Sequence, residues 1–405
     1  MAKIRPFRAL RPEPSLASKI AAVPYDVVNT EEARALAAGN PLSFLHVSRA
    51  EIDLPADTSP YADIVYRTAA ERFAAIRAHM VEEAEPALYF YKLRMGTHEQ
   101  TGLAACYSVD EYDADVVKKH EKTRRDKEDD RTRHITELRA QTGPVFLTYH
   151  ASAAVDAVAA TIATTAPLYD LVAPDGITHT VWKVTGADLK AVVDAFDRLP
   201  ALYIADGHHR AASAARVRKS LKPEAGKDGV VEADWFLAVA FPDNQTQVLP
   251  YNRTVKDLAG LTPEAFMNAA KAIFTVREGG PAAPAKKGDC AMFLAGKWYT
   301  LELGAKAGSD VVSRLDVSIL QDHLLDPVLK IADVRTDRRI DFVGGIRGTA
   351  ELERLVASGK AAVAFSMHPV SVADLMGIAD AGEIMPPKST WFEPKLRDAL
   401  LIHTI

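Results

Sequence analysis

An apolar run over residues 201–205 stops abruptly at Asp206-Gly207-His208-His209-Arg210, and an Ala-, Arg- and Lys-rich stretch follows over 211–221. The apolar residues predict a short buried strand, Gly207 a tight turn, and the stretch after it a helix. A strand that feeds straight into a helix start leaves backbone N–H groups without intrahelical partners, and the peptide dipoles add at the same place. Two imidazoles and a guanidinium share that first turn. Such a start binds anions, and phosphate suits its chemistry best. The plainer alternative makes Asp206 a helix cap with solvated neighbours.

At 405 residues the chain exceeds one ordinary core, and two domains are expected, over 1–260 and 261–405. With 48% hydrophobic and 25% charged residues, it has the balance of a soluble globular protein. A net charge of −5 offers no electrostatic footprint for nucleic acid. Cys106 and Cys290 are the only cysteines, without metal-ligand spacing, so a reducing, cytoplasmic setting is expected. No signal-peptide pattern follows the N-terminus, and no apolar run approaches the ~18 residues a membrane span requires.

The pattern along the chain alternates. A helix starts at Asn29-Thr30-Glu31-Glu32, a strand is expected over 42–47, and a long amphipathic helix over 61–81. Residues 87–94 and 101–109 read as a hairpin, and 113–138, highly charged and free of Gly and Pro, as one helix. These elements, within about 87–198, read as an insertion in the first domain. Strands are expected over 144–149, 168–172 and 178–184, with helices over 152–165 and 187–198. A second hairpin is expected around Pro242-Asp243-Asn244-Gln245, and the Gly/Pro-rich stretch 279–288 is the clearest boundary signal. The remainder alternates strands and helices, which argues for mixed α/β structure.

The densest charged string is His120–Arg131. On one helix, His120, Arg124, Lys127, Arg131 and His134 would share a face, and five basic groups there call for a phosphate or carboxylate between them. A solvated, salt-bridged helix is the alternative. Pro24-Tyr25-Asp26 precedes a helix and places Asp26 as a turn residue, a base or a metal ligand. Pro386-Pro387-Lys388-Ser389-Thr390 ends like a phosphate-binding loop but lacks its glycines, and Pro387 has no N–H to donate; a P-loop is excluded, while Lys388 remains able to reach a phosphate as a point charge. His208 and His209 are adjacent and cannot both face one metal from a regular helix, so no zinc pattern emerges.

Several strings carry a family resemblance. Pro24-Tyr25-Asp26-Val27, His120-Glu121-Lys122-Thr123-Arg124, Lys127-Glu128-Asp129-Asp130-Arg131 and Met385-Pro386-Pro387-Lys388-Ser389-Thr390 resemble the prokaryotic family known as domain of unknown function 1015, over nearly the whole chain. The Asp206–Arg210 motif resembles the phosphate-binding motif of the ParB/sulfiredoxin superfamily, in the version carried by the free L-serine kinases of archaea. That resemblance implies an α+β or mixed α/β fold, with a ParB/sulfiredoxin-like nucleotide-binding core, a large insertion and a second α/β C-terminal domain. It implies ATP or ADP and Mg2+ as cofactors, with L-serine accepting a phosphoryl group to give O-phosphoserine, a step in serine metabolism.

The same resemblance implies the roles. Gly207 admits phosphate oxygens to the backbone, and His208, His209 and Arg210 donate to them. Asp206 holds Mg2+ or takes the hydroxyl proton. In the serine kinases an N-terminal glutamate serves as base, and here Glu31 and Asp26 are the rivals for that part. His120, Arg124, Lys127, Arg131 and Lys388 meet the amino-acid carboxylate or the outer phosphates. The other functional class open to this motif is a non-enzymatic nucleotide switch of ParB-like type, in which binding closes a homodimer or captures a partner.

Overall fold

The computed structural model describes residues 2–221 and 231–405. Two compact units emerge: the first runs to Thr246 and takes up again at Pro394–Ile405, and the second is Gln247–Glu393. Where the sequence pattern puts a single boundary at 260, the chain thus leaves the first unit earlier and returns to it at the end.

The first unit is built on a nine-stranded mixed sheet. Its strands are β1 (Ile4–Arg5), β2 (Leu88–Met95), β3 (His98–Ser108), β4 (Val117–Lys118), β5 (Val145–Tyr149), β6 (Tyr169–Val172), β7 (Thr178–Val184), β8 (Leu202–Asp206) and β9 (Trp235–Pro242). They run in the order β4-β8-β5-β9-β3-β2-β7-β6, with β1 added on β3. The expected hairpin is present, β2 and β3 joined through Gly96 with its positive φ of 59°. Segment 87–198, read from the pattern as an insertion, instead supplies most of this sheet. A mixed α/β architecture with a large sheet and helices is the result.

The helices that matter here are α1 (Thr30–Ala37), α2 (Asp63–Arg77), α3 (Arg125–Leu138), α4 (Ala153–Ile162), α5 (Gly186–Phe196) and α6 (His208–Ser220). One face of the sheet packs a core of Leu88, Phe90, Leu103, Tyr107, Leu147 and Phe196, with Ala211, Ala214 and Ala215 of α6. Small residues on that face of α6 let its axis lie close to the strands. A second cluster gathers Phe44, Val65, Phe73 and Ile76 with Leu138, Ala399 and Ile402.

Three expectations fail for identifiable reasons. Residues 42–47 are no strand; Leu45–Ser48 is a short helix whose Leu45 and Val47 are buried in the second cluster. A short apolar run does not distinguish the two states by itself. Helix 113–138 is broken: Asp115 takes a positive φ of 59°, and Val117-Lys118 pairs in parallel with Leu202-Tyr203. β-Branched valine at an available sheet edge outweighs the lack of Gly and Pro. The hairpin around Pro242–Gln245 does not form either, because β9 pairs with β3 and β5 while the next long strand belongs to the second unit.

That second unit carries a six-stranded antiparallel sheet of β10 (Tyr251–Val255), β11 (Thr275–Glu278), β12 (Asp289–Leu294), β13 (Lys297–Glu302), β14 (Ile340–Gly344) and β15 (Val363–Met367), ordered β11-β13-β12-β15-β10-β14. Stretch 279–288, expected as a boundary, is a connection between β11 and β12 inside it. Among the described residues, no helix is long and apolar enough to cross a membrane.

The C-terminal return is a packing element. Leu10 and Ile402 exchange backbone hydrogen bonds at 3.0 and 2.9 Å, and Ile402 is fully buried. Ile402→Ala is expected to cost about 2–5 kcal/mol in urea unfolding, whereas Leu36→Ala on the exposed side of α1 should change stability by under about 0.5 kcal/mol.

Candidate functional site

Strand β8 ends in an irregularity that aims the motif. Ile204 lies opposite Leu147 and Asp206 opposite Phe146, so Ala205 has no partner across the ladder. A bulge of this kind re-aims the side chain that follows it. Gly207 then takes φ +93° and ψ 29° and is itself the N-cap of α6. Asp206 is therefore not the cap, and the plainer reading of the motif falls. A Cβ at Gly207 would come within 2.9 Å of Arg210 Nε, because the Arg210 side chain folds back under its own turn. There it donates to the Pro144 carbonyl, and its Nε is buried without an acceptor.

The C-terminal return delivers two groups that the sequence pattern does not flag. Lys395 donates to Asp206 Oδ2 at 3.1 Å, and Arg210 lies 3.7 Å from the same oxygen. Burial opposes the charge on Asp206, yet Lys395 and Arg210 outweigh it and hold the carboxyl well below its ordinary range. An aspartate already neutralised by two cations suits strand-end anchoring better than the Mg2+ role expected of it. Asp398 is the second arrival. Burial, with Asp26 adding to it, pushes its carboxyl up from 3.8 to about 7, against the pull of Arg210 and Arg131. A Cβ on Gly143 would collide with Asp398 Oδ1, so only glycine fits beside it.

Beneath the turn lies a small cavity of about 30 Å3, lined by Tyr25, Arg131, Gly143, Arg210 and Asp398 among others. That volume holds a water or two. Arg131 reaches it from α3, stacked 4.1 Å from the Tyr25 ring centroid and held by Asp130 at 2.7 Å. Asp26, exposed just after Tyr25, is among the leading charges acting on His209, Arg210 and Asp398; Glu31 is not. Glu31 sits on the exposed side of α1, whose start is closed by a capping box between Asn29 and Glu32.

The expected basic face does not exist. Residues 119–124 lie outside any helix, so His120 and Arg124 cannot share a helical stripe with Arg131 and His134. Arg124 is exposed, its guanidinium bonded to Asp126 at 2.8 and 3.1 Å. Lys127 donates to the Tyr61 hydroxyl at 2.8 Å. His134 is buried and donates from Nε2 to the Val47 carbonyl at 3.1 Å, and burial pushes it down to about 3. Of that stripe, Arg131 lines the cavity beneath the turn, and His120 reaches His208 of the motif from the connection before α3. Lys388 belongs to the second unit, where its ammonium lies 5.4 Å from the Tyr251 ring centroid.

The imidazoles at the motif add no positive charge to it. His209 Nε2 accepts the backbone N–H of Arg124 at 3.0 Å, which requires that nitrogen to be unprotonated. Burial lowers His209 and holds His208 well below its ordinary value. His120 is pushed down to about 4 by burial, although the nearby Ile204 carbonyl and Asp206 pull the other way. The His120 ring makes no hydrogen bond of normal geometry to that carbonyl, since both its nitrogens are without partners. The rings of His120 and His208 meet edge to face, 4.5 Å apart between centroids. Positive charge at the motif thus comes from Arg210, Arg131 and Lys395.

Mg2+ favours an octahedron of oxygens. Among the described residues, the His, Cys, Asp and Glu side chains close enough to share an ion are His120, Glu121 and His208. Two imidazoles in that set do not fit Mg2+.

A family model described as "Protein of unknown function (DUF1015)" matches residues 4–318. The chain belongs to this family. Three of the four strings that carry the resemblance fall on the site just described, in the Tyr25-Asp26 turn, the His120–Arg124 connection and the first turns of α3; the fourth, Met385–Thr390, lies in the second unit. No curated protein matches. Among solved structures, a free serine kinase in complex with AMP is similar at 15% identity and TM-score 0.37, over 73% of this chain and 92% of that one. A free serine kinase variant in complex with ADP gives 15%, 0.36, 73% and 92%. SbnI with C-terminal truncation from Staphylococcus aureus gives 10%, 0.38, 73% and 87%. Likenesses at these scores carry no argument about activity.

Two outcomes test the geometry. Gly207→Ala should destabilise by about 1–2 kcal/mol, the cost of a left-handed backbone for an L side chain, and should displace Arg210. Asp398→Asn tests the raised carboxyl. A folded-state value above the unfolded one stabilises fully below the unfolded value, and that stabilisation is lost as pH rises towards the folded one. Asp398→Asn should therefore gain stability relative to the parent chain as pH rises from 3.8 to about 7, by at most about 4 kcal/mol, with no further change above. Thermal and urea unfolding of both proteins across that window read it out.

Proposed function

We propose that the motif is the nucleotide site of a small-molecule kinase of ParB/sulfiredoxin type, with the hydroxyl of a free amino acid as acceptor and L-serine the acceptor named by the motif's resemblance. One observation carries the reading: a buried guanidinium, Arg210, folded under a left-handed glycine at a helix start, with a donor nitrogen left unpaired. A buried donor without an acceptor costs about 1–3 kcal/mol, and a phosphate oxygen would satisfy it.

The chain's own residues then divide the work. The N–H groups at the start of α6 lack intrahelical acceptors and meet phosphate oxygens. Arg210 and Arg131 offset the charge that gathers on the moving group, which is most of what phosphoryl transfer asks of a protein. Lys395 keeps Asp206 occupied and so fixes the end of β8. During transfer the acceptor oxygen bonds to phosphorus, the bond to the nucleotide's bridging oxygen breaks, and its electron pair leaves with the nucleotide. The hydroxyl proton passes to the Asp26–Asp398 pair of carboxyls, one of them raised towards neutral pH where a base works best. The nucleotide is ATP or ADP. No step is assigned to Mg2+ or to Glu31.

Incubating the protein with ATP or ADP, Mg2+ and L-serine should yield O-phosphoserine, followed by mass spectrometry. Arg210→Ala should weaken nucleotide binding by about 1.5–3 kcal/mol, the worth of a charged hydrogen bond, and Asp26→Asn should lower turnover more than binding. Nucleotide binding with no phosphorylated product across free hydroxy amino acids would point to the switch instead. Absence of nucleotide binding would remove both readings.

A further inference from the structure

His120 and His208 are nine-tenths or more buried, at 2% and 5% exposure, and their polar atoms are not accounted for. Both ring nitrogens of His120 and Nε2 of His208 have no hydrogen-bond partner. A buried imidazole normally finds an acceptor for its N–H, because leaving it unmade costs about 1–3 kcal/mol. Here two such rings lie 4.5 Å apart between centroids, at 89° to one another. Edge-to-face packing explains the contact but satisfies none of the nitrogens. Glu121, the next residue after His120, brings its Oε2 to 3.9 Å from His208 Nδ1.

We infer that His120, Glu121 and His208 form a binding site for a divalent transition-metal ion. Their ligand atoms all lie within 4.8 Å of one another. Ligands at the usual zinc distances of about 2.0–2.2 Å are separated by about 3.4 Å in a tetrahedron. Closing the difference asks for a rotation of the Glu121 side chain, which is 46% exposed. Two imidazoles and one carboxylate are the donors of zinc, iron(II) and manganese(II) sites, whereas Mg2+ and Ca2+ sites are built from oxygens. Three protein ligands leave coordination positions for water or a substrate oxygen.

The local charge bears on the site in both directions. Asp206 and Glu121 lend negative potential, and Arg210 opposes it. Neutral imidazole is the form that ligates a metal ion. Sequence spacing could not reveal the set, since His208 and Glu121 stand far apart in the chain. Parallel pairing of β4 with β8 starts the 119–124 segment and α6 from neighbouring strand ends.

This site does not rest on the phosphoryl-transfer reading, and its test uses no nucleotide. Full-length protein stripped with a chelator is titrated with Zn2+, Co2+ and Mg2+ separately, by calorimetry and thermal shift at neutral pH. The expected result is one Zn2+ or Co2+ per chain with a raised Tm, and no Mg2+ binding over the same range. Glu121→Gln should weaken Zn2+ binding by more than about tenfold, with His208→Gln at least as severe. Glu121 is exposed, so its variant keeps the test decisive if the histidine variants do not fold. Stoichiometric Zn2+ binding that survives Glu121→Gln unchanged would overturn the assignment, as would failure of the parent chain to bind either transition ion. Loss of Zn2+ binding in the variant with nucleotide binding intact would uphold the metal site and leave the kinase reading standing separately.

Discussion

Backbone hydrogen bonds from Asp398 to Ala22, from Ala399 to Thr142 and from Ile402 to Leu10 hold the last residues of the chain between segments far apart in sequence. Strand pairing of His403-Thr404 with Ala140-Gln141 continues the attachment. Each bond is worth only about 1 kcal/mol net, but Ala399 and Ile402 are also fully buried in the second cluster. With that segment seated, Lys395 meets Asp206 and Asp398 meets the cavity beside Arg210 and Arg131. Without it, the motif would present an aspartate left with Arg210 alone and a guanidinium short of one of its counter-charges.

Charge balance in the low-dielectric surroundings of the turn follows from this attachment. Arg210 and Arg131 are buried cations whose guanidiniums stay protonated because carboxylates surround them, Asp26, Asp206 and Asp398 for the one and Asp130 for the other. Histidine, with a far weaker hold on its proton, loses it under the same burial. The cationic part of the motif is thus arginine and lysine, and the imidazoles are free to serve as neutral donors or ligands. Asp398 shows the other side of the same physics: its cationic neighbours only partly compensate its burial, and it is left close to neutral pH as a result.

Local sequence was enough for the turn itself. An apolar strand, a glycine and an alanine-rich helix are each decided within a few residues, and the observed β8, Gly207 and α6 follow that reading closely. The charged segment was harder. A run without Gly or Pro looks helical throughout, yet Val117 found a strand edge, and that edge exists only because residues 202–203 lie beside it. His120 and Arg124 left the expected stripe for this reason; Arg131 came to the cavity beneath the turn from α3, and His120 came to His208 from the connection before it. The strand expected over 42–47 became helical for a similar reason, since burial in the second cluster decided a run whose periodicity was ambiguous.

What the amino-acid order determined by itself was the strand–glycine–helix turn, because the need for a positive φ at Gly207 and for unpaired N–H groups at a helix start is local. It also carried the family strings and the overall alternation of strands and helices. Tertiary structure alone decided which side chains meet that turn. Lys395 and Asp398 come from the far end of the chain, and the facing of His120, Glu121 and His208 depends on two strands lying side by side. Contacts of that kind arise from sheet pairing and burial between distant segments, and no spacing along the chain encodes them.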